Sequence, residues 1–314
     1  MRAVTIRDQQ IVIEEHPDPE PGAGEVLVRV RAAGLNGADM HQRLGRYPAP
    51  PGSPQDIPGL ELAGEVAALG RGAERFGEGD RVMAIVGGGG QAELATVHER
   101  QLMPVPRALG WLEAGGVPEV FTTAYDALFT QGGLKTGERL LVHGGAGGVG
   151  TAAIQLARAA GARVTATVRS GDLRSSVQEL GARVIAPEEF AEHGPFDVIL
   201  ELVGAPNLAH NLQALATGGR ILVIGIGAGA KGELNLGLVL GKRARILGST
   251  LRPRPLEEKA LTARALERSV LPLFEAGALE VPIAAAFPLE RCAEAYDRFS
   301  GGGKLGKIVL ELGA

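Results

Sequence analysis

The chain carries one cysteine, Cys292, among 314 residues. A single thiol excludes a disulfide framework and any zinc site built from several cysteines. Cys292 falls in a helix-like run and reads as a small buried apolar residue rather than a nucleophile. There is no surplus of positive charge either. The net charge is −4, so neither nucleic acid nor an anionic membrane gains support as a partner. No apolar run reaches the roughly 18 residues that a membrane span needs, so no membrane insertion is expected. The stretch Met1–Asp8 has no apolar core of a secretion signal, and the cytoplasm is the expected location. Neither G-x-S-x-G nor H-E-x-x-H occurs, and the six histidines are scattered. Gly301–Lys307 imitates a phosphate loop, but Ile308 replaces the required Ser or Thr and a strand-like run follows instead of a helix. Lysine is scarce, 6 against 26 arginines, and that ratio carries no functional conclusion.

What is present in quantity is glycine, 47 residues without a collagen-like period. The densest cluster organises the chain. Leu140-Leu141-Val142-His143 is a short apolar run, followed by Gly144-Gly145-Ala146-Gly147-Gly148-Val149-Gly150 and then by a helix-like run to Ala160. Gly144, Gly147 and Gly150 give G-x-x-G-x-x-G, a variant of the dinucleotide fingerprint. Glycines there allow a tight turn, close backbone approach to a pyrophosphate and close packing of helix on strand. The phosphates would sit at the helix N-terminus, where free N–H groups and the helix dipole favour anions. His143, just before the glycines, reads as a satisfied strand-end residue rather than a base.

The length suggests about two domains. Residues before about 110 read as β-rich, with strands at Ala3–Ile6, Gln10–Glu14, Glu25–Ala33, Ala63–Leu69, Arg81–Val86 and Ala92–Val97 separated by Gly and Pro turns, which argues for a barrel or sandwich. From about Val117 the pattern changes. Helices are expected at Glu119–Thr130 and Thr151–Ala160. Apolar strands are expected at Leu140–His143, Arg163–Val168, Val184–Ile185, Val198–Leu202, Ile221–Ile224 and Arg245–Leu247. This alternation predicts an α/β domain with a doubly wound parallel sheet. Leu256–Gly277 reads as one long helix, kinked or restarted at Pro272. A helix at Leu289–Phe299 and a strand at Lys307–Leu312 then return to the first domain, making it discontinuous. The expected division is 1–116 with 275–314 against 117–274.

The second strand of a dinucleotide fold ordinarily ends in Asp or Glu when the ribose 2′-hydroxyl is the partner. Here Arg163–Val168 is followed by Arg169 and Ser170, with Arg174 shortly after. Two guanidiniums and a hydroxyl suit a 2′-phosphate, so NADPH is predicted over NADH, with Asp172 expected to point away. Both arginines could instead be solvated surface charges.

The chain resembles the zinc-independent medium-chain dehydrogenase/reductases of the zeta-crystallin-like NADPH:quinone oxidoreductase kind. The resemblance covers essentially the whole chain. It rests on Ala32–Asp39, Gly45–Pro48, Pro58–Val66, Pro118–Tyr125, the glycine loop and Gly306–Leu310 in that order. It implies a Rossmann domain joined to a GroES-like domain. Zinc-dependent relatives need a cysteine near the position of Asn36 and a histidine where Leu60 stands in Gly59-Leu60-Glu61, so no catalytic zinc is expected. The remaining chemistry is hydride transfer from NADPH to an acceptor needing little activation. A quinone fits first. An enone, alkenal or enoyl thioester is the alternative, and an NADPH-binding protein with structural or sensing duties is a third reading.

Reduction leaves negative charge on oxygen, which a positioned donor would stabilise. Tyr47, in a proline-stiffened loop, is the first candidate. It either donates to substrate or packs its ring with the hydroxyl in water. Asn36 is second, as a donor to substrate or to the nicotinamide ribose, or else a left-handed turn residue. The resemblance further implies cofactor contacts at Asn36, Val203 and Thr123, the last otherwise a helix-face hydroxyl without a ligand. Asp39 is expected on the cofactor side, orienting the Asn36 loop, or else is a solvated surface carboxylate. Gly225 and Gly227, after the strand Ile221–Ile224, either let the backbone approach the nicotinamide or form an ordinary strand-end turn. The resemblance also implies a homodimer, through the edge strand Arg245–Leu247.

Overall fold

The computed structural model describes residues 1–313 and divides them into two compact units. The first comprises residues 1–122, 251–302 and those from 307 on; the second comprises 123–250 and 303–306.

In the first unit, β1 (Arg2–Arg7) and β2 (Gln10–Glu15) form a hairpin in which Arg7 pairs Gln10. The two turn residues, Asp8 and Gln9, both have positive φ, the backbone that a two-residue hairpin requires. β3 (Glu25–Gly34) is the longest strand, followed by β4 (Glu61–Leu69), β5 (Arg81–Ile85), β6 (Leu94–His98) and the two-residue β7 (Met103–Pro104). Val26, Val28 and Val30 alternate inward and are buried, and β3 pairs both β4 and β6. The helix Gly37–Arg43 follows β3 directly.

The second unit is built on a parallel sheet. Its strands are β8 (Arg139–Val142), β9 (Arg163–Thr167), β10 (Arg183–Ile185), β11 (Phe196–Glu201), β12 (Leu215–Val223) and β13 (Arg245–Gly248). They lie in the order β10-β9-β8-β11-β12-β13, with every pairing parallel. Counted from β8, that is 3-2-1-4-5-6, the order of the dinucleotide-binding doubly wound fold. The chain reverses direction across the sheet between β8 and β11, and the loops at the carboxyl ends of these two strands flank that switch point.

The chain then returns to the first unit. Helices Leu256–Ser269 and Leu271–Glu275 precede β14 (Ile283–Pro288) and β15 (Lys307–Glu311). β15 pairs β3 antiparallel and β14 parallel, which extends the first sheet.

Three sequence expectations differ from the structure. The helix from residue 118 stays α-helical only to Tyr125 and continues as a π-helix over Asp126–Gln131. Leu256–Gly277 does restart at Pro272 as expected, as two helices separated at Val270, with the missing N–H of Pro272 harmless in the first turn of the second. β7 and β14 were not expected, because a two-residue strand and the run Ile-Ala-Ala-Ala-Phe-Pro carry little strand signal. The contacts also divide the chain at 250/251 rather than 274/275. Helix Leu256–Ser269 is tied to the first unit by Arg264 donating to the Leu102 carbonyl and by the Arg75–Glu267 ion pair at 2.5 Å. Phe274 packs edge-on against Phe121, with ring centroids 4.8 Å apart.

Candidate functional site

Each unit carries one concentration of the residues singled out from sequence. In the second unit the glycine loop leaves β8 and enters the helix Gly148–Ala159, for which Gly147 is the N-cap. Gly144 has φ +68°, a left-handed turn that a side chain would strain. A Cβ on Gly145 would come within 2.8 Å of Ala166 Cβ, and one on Gly150 within 2.4 Å of the Gly144 carbonyl oxygen. The helix therefore lies too close to the turn for any other residue at position 150. Gly147 has only ordinary contact around it. The loop is held from outside as well, since the Gly306 N–H donates to the Ala146 carbonyl at 2.8 Å. Gly148 and Val149 open the helix, and their N–H groups belong to its unpaired first turn.

Beyond β9, Arg169 is exposed and has no ion-pair partner among the described residues. Arg174 folds back, with Nε donating to the Val168 carbonyl at 3.2 Å, and Ser170 is half-buried between them in sequence. Asp172 is exposed and pairs with neither arginine. Gly225 is a site of close approach, because its Cβ would meet the Leu202 carbonyl oxygen at 2.2 Å. Gly227 has open space around it. Val203 is half-buried, and its N–H donates to Glu201 Oε1 at 2.7 Å. Thr123 is buried in the helix Pro118–Tyr125.

In the first unit Asn36 and Asp39 come together, joined by two residues that sequence reasoning left without a role. Asn36 caps the helix Gly37–Arg43 with an extended backbone, so it is not the left-handed turn residue considered from sequence. Its amide donates to Glu61 Oε1 at 2.9 Å and to the Gly34 carbonyl at 3.3 Å, while its Oδ1 accepts from Lys307 Nζ at 2.6 Å. Lys307 and Glu61 pair at 2.6 Å with side chains 3% and 0% exposed. Lys307 also donates to the Leu35 carbonyl, and Glu61 Oε2 accepts the Glu119 N–H. Both amide protons of Asn36 are thus already committed. Asp39 accepts the Asn36 and Gly59 N–H groups. Complete burial outweighs those two donors and the charge of Lys307, and raises its pKa to about 6. Leu60, at the position of the absent histidine, is buried.

Tyr47 lies in the same unit beside an unanticipated partner, Arg252. The guanidinium stacks over the Tyr47 ring at 5.0 Å and donates to the carbonyls of Tyr47 (2.9 Å) and Gly87 (2.7 Å) and to Gln42 Oε1 (2.6 Å). Arg252 is 3% exposed. Burial pushes its pKa below the usual guanidinium range, opposed by Asp39 and Tyr47. Burial likewise pushes the Tyr47 phenol up, opposed by the charge of Arg252, so the hydroxyl keeps its proton at neutral pH. That hydroxyl has no hydrogen-bond partner among the described residues. No motif announces Arg252. Its only sequence signal is its place in an irregular Pro-rich stretch, Leu251-Arg252-Pro253-Arg254-Pro255.

Comparison with known proteins agrees with this architecture. Residues 22–107 match the family described as "Alcohol dehydrogenase GroES-like domain", and residues 148–267 match "Zinc-binding dehydrogenase". Quinone oxidoreductase of Rattus norvegicus is 32% identical over 306 residues, covering 94% of this chain and 91% of that protein. Acryloyl-coenzyme A reductase of Metallosphaera sedula is 30% identical over 343 residues, covering 99% of each. A crystal structure of an alcohol dehydrogenase superfamily protein from Novosphingobium aromaticivorans superimposes with TM-score 0.88 at 29% identity, covering 100% of both chains. With a Rossmann-like unit, a GroES-like unit and these relatives, the chain belongs to the zeta-crystallin-like medium-chain dehydrogenase/reductase family and is an oxidoreductase that uses a nicotinamide cofactor.

Proposed function

We propose that the protein is an NADPH-dependent quinone oxidoreductase working without a catalytic zinc. The observation that carries this reading is the side-chain set where zinc-dependent relatives hold their metal. Leu60 offers no ligand atom, and the Asn36 oxygen accepts a buried ammonium, Lys307, at 2.6 Å. That ammonium is 2.6 Å from both the Asn36 oxygen and the buried Glu61 carboxylate, and a fixed cation on both disfavours a second cation there. Without a Lewis acid, the acceptor must be one whose reduced oxygen is stabilised by its own structure, as a quinone's is.

The glycine loop and the N-terminus of Gly148–Ala159 fit a pyrophosphate, by the room that Gly144, Gly145 and Gly150 keep clear. Unpaired Arg169, with Ser170 and Arg174, would hold a 2′-phosphate. Thr123, Val203, Gly225 and Gly227 would contact the nicotinamide end, and Asp39 would hold the Asn36 turn. When bound, the nicotinamide supplies the hydride. Tyr47, protonated and unpartnered, donates a hydrogen bond to the oxygen that gains charge, and Arg252 fixes the Tyr47 loop. Asn36 serves through the frame it completes, since its own donors are engaged.

A second reading, reduction of an enoyl thioester, is favoured by the likeness to acryloyl-coenzyme A reductase over 99% of both chains. The location proposed is the cytoplasm, and among the described residues no helix is long and apolar enough to cross a membrane. The homodimer is proposed through β13 and the adjoining helix Leu236–Lys242. No residue of that helix is buried, and Leu236 and Leu240 are 71% and 81% exposed.

The test is NADPH consumption with a 1,4-benzoquinone, a 2-alkenal and acryloyl-CoA in parallel. Quinone turnover well above the other two is expected. Turnover of the thioester with none of the quinone would replace the first reading by the second. Tyr47→Phe should lower quinone kcat about tenfold, the scale of one hydrogen bond lost to an oxygen whose charge the quinone ring itself spreads, with the NADPH dissociation constant unchanged. Unchanged kcat would remove the hydroxyl from the mechanism.

A further inference from the structure

A chain of buried polar side chains crosses the second unit beneath the loops that end β8, β11 and β12. Thr167 Oγ1, at the end of β9, accepts the Gly144 N–H at 3.3 Å and lies 3.2 Å from His143 Nδ1. His143 Nε2 is 2.8 Å from Asn211 Oδ1. Asn211 Nδ2 donates to Glu201 Oε2 at 2.7 Å. Glu201 Oε1 accepts the N–H groups of Val203 (2.7 Å) and Gly204 (2.8 Å), and Asn207 donates to the same carboxylate. All four linking side chains are buried: Thr167, His143, Asn211 and Glu201 belong to residues between 0% and 3% exposed.

The protons in this chain have one consistent order. Asn211 gives its N–H to Glu201, so its oxygen faces His143 and His143 Nε2 must carry a proton. Burial lowers the pKa of His143, so the ring is neutral and Nδ1 is an acceptor. Thr167 therefore donates to Nδ1 and uses its oxygen for Gly144. Glu201 is a carboxylate held by N–H donors alone, because the imidazole 3.8 Å away carries no charge. Apolar side chains would fill this volume without the desolvation of a carboxylate. What the polar chain adds is at its two ends, which terminate on backbone N–H groups. One end fixes the peptide that sets the left-handed turn at Gly144; the other fixes the peptides entering Val203 and Gly204. The Glu201 carbonyl also accepts Ile224 and Gly225 N–H, both at 3.0 Å, so the third loop is referred to the same residue.

We propose that Thr167, His143, Asn211 and Glu201 are positioning residues for the dinucleotide. They act as one proton-ordered unit that sets the glycine loop, the 202–207 loop and the loop after β12 in mutual register. The proposal rests on the reading that a dinucleotide binds at the glycine loop, and it predicts that distant members of the chain are energetically coupled in cofactor binding.

The experiment is a double-mutant cycle read by NADPH fluorescence titration, with melting temperature and quinone KM measured alongside. Thr167→Val keeps the side-chain shape and removes the hydroxyl. It should weaken NADPH binding about fivefold to tenfold, the scale of one buried hydrogen bond lost, with quinone KM unchanged. Thr167→Ser should restore the affinity. Glu201→Gln keeps one acceptor oxygen but turns an NH2 toward donors on the other side, either Val203 and Gly204 or Asn207 and Asn211, and should weaken binding at least as much. In the double variant the two effects should fall well short of multiplying, because either change breaks the same chain. Wild-type affinity in Thr167→Val, or affinities that multiply in the double variant, would overturn the proposal. A lowered melting temperature with unchanged NADPH affinity would make the chain purely structural and overturn it too. Failure of the unmodified protein to bind NADPH would instead remove the underlying dinucleotide reading and the proposal with it.

Discussion

The glycine loop of the second unit and the Tyr47 region of the first hold their functional groups in opposite ways. Gly144 to Gly150 form one short stretch that uses backbone only, and its shape follows from the absence of side chains at 144, 145 and 150. Around Tyr47 the work is done by one side chain from far away. Arg252 bonds to Gln42 across 210 residues of sequence, to Tyr47 across 205 and to Gly87 across 165. A local backbone device can be varied in its surroundings without losing its function. A non-local side-chain device depends on every segment it ties.

This contrast can be sharpened by breaking each device separately. Gly150→Ala should have the largest effect. Its methyl group would have to displace the Gly144 carbonyl, and NADPH affinity should fall on the order of a hundredfold, given the close approach that the third glycine of such a loop serves. Titration of NADPH fluorescence checks this, and quinone KM should stay unchanged. Arg252→Ala should do the reverse. It leaves two carbonyls and the Gln42 amide oxygen without their donor and removes the stack on Tyr47. Quinone kcat/KM should fall roughly thirtyfold, from two or more kcal/mol of lost positioning, while NADPH affinity holds. Equal loss of cofactor affinity in both variants would erase the distinction drawn between the two regions.

Asp39 gives the smallest effect and the one with a pH signature. Its folded-state pKa of about 6 lies above the ordinary 3.8, so the folded chain holds this proton more tightly than the unfolded one. The stabilisation this gives is fully present below about pH 4 and is lost as pH rises to about 6. The melting-temperature difference between wild type and Asp39→Asn should therefore favour wild type more at pH 4 than at pH 7, by a few degrees. A difference independent of pH would contradict the buried, raised carboxyl.

The same contrast explains what the sequence disclosed. The parallel sheet, the glycine turn and the position of Arg169 at the end of β9 were all legible. Each is encoded in consecutive residues, as a period, a spacing or a strand end. The buried pairs were not. Glu61 and Lys307 lie 246 positions apart and meet only because β15 joins the sheet beside β3. Asn36 follows closely on the strand expected to end at Ala33, but the commitment of its amide depends on those two partners. His143 was legible as a satisfied residue. Its partners were not, because Thr167 and Glu201 come from β9 and β11 and Asn211 from the helix Leu208–Ala214, segments that meet only in the folded unit. β14 was missed because its identity comes from pairing with β15 rather than from its own residues.

The most direct test of NADPH use is titration of the whole protein with NADPH and with NADH, followed by fluorescence or calorimetry, in wild type and in Arg169→Ala. Wild type should bind NADPH at least about tenfold more tightly than NADH, the scale of one charge-assisted hydrogen bond to phosphate, and Arg169→Ala should lose most of that preference by weakening NADPH alone. Equal or tighter binding of NADH by wild type, or a preference for NADPH that survives Arg169→Ala intact, would contradict the 2′-phosphate role given to the end of β9.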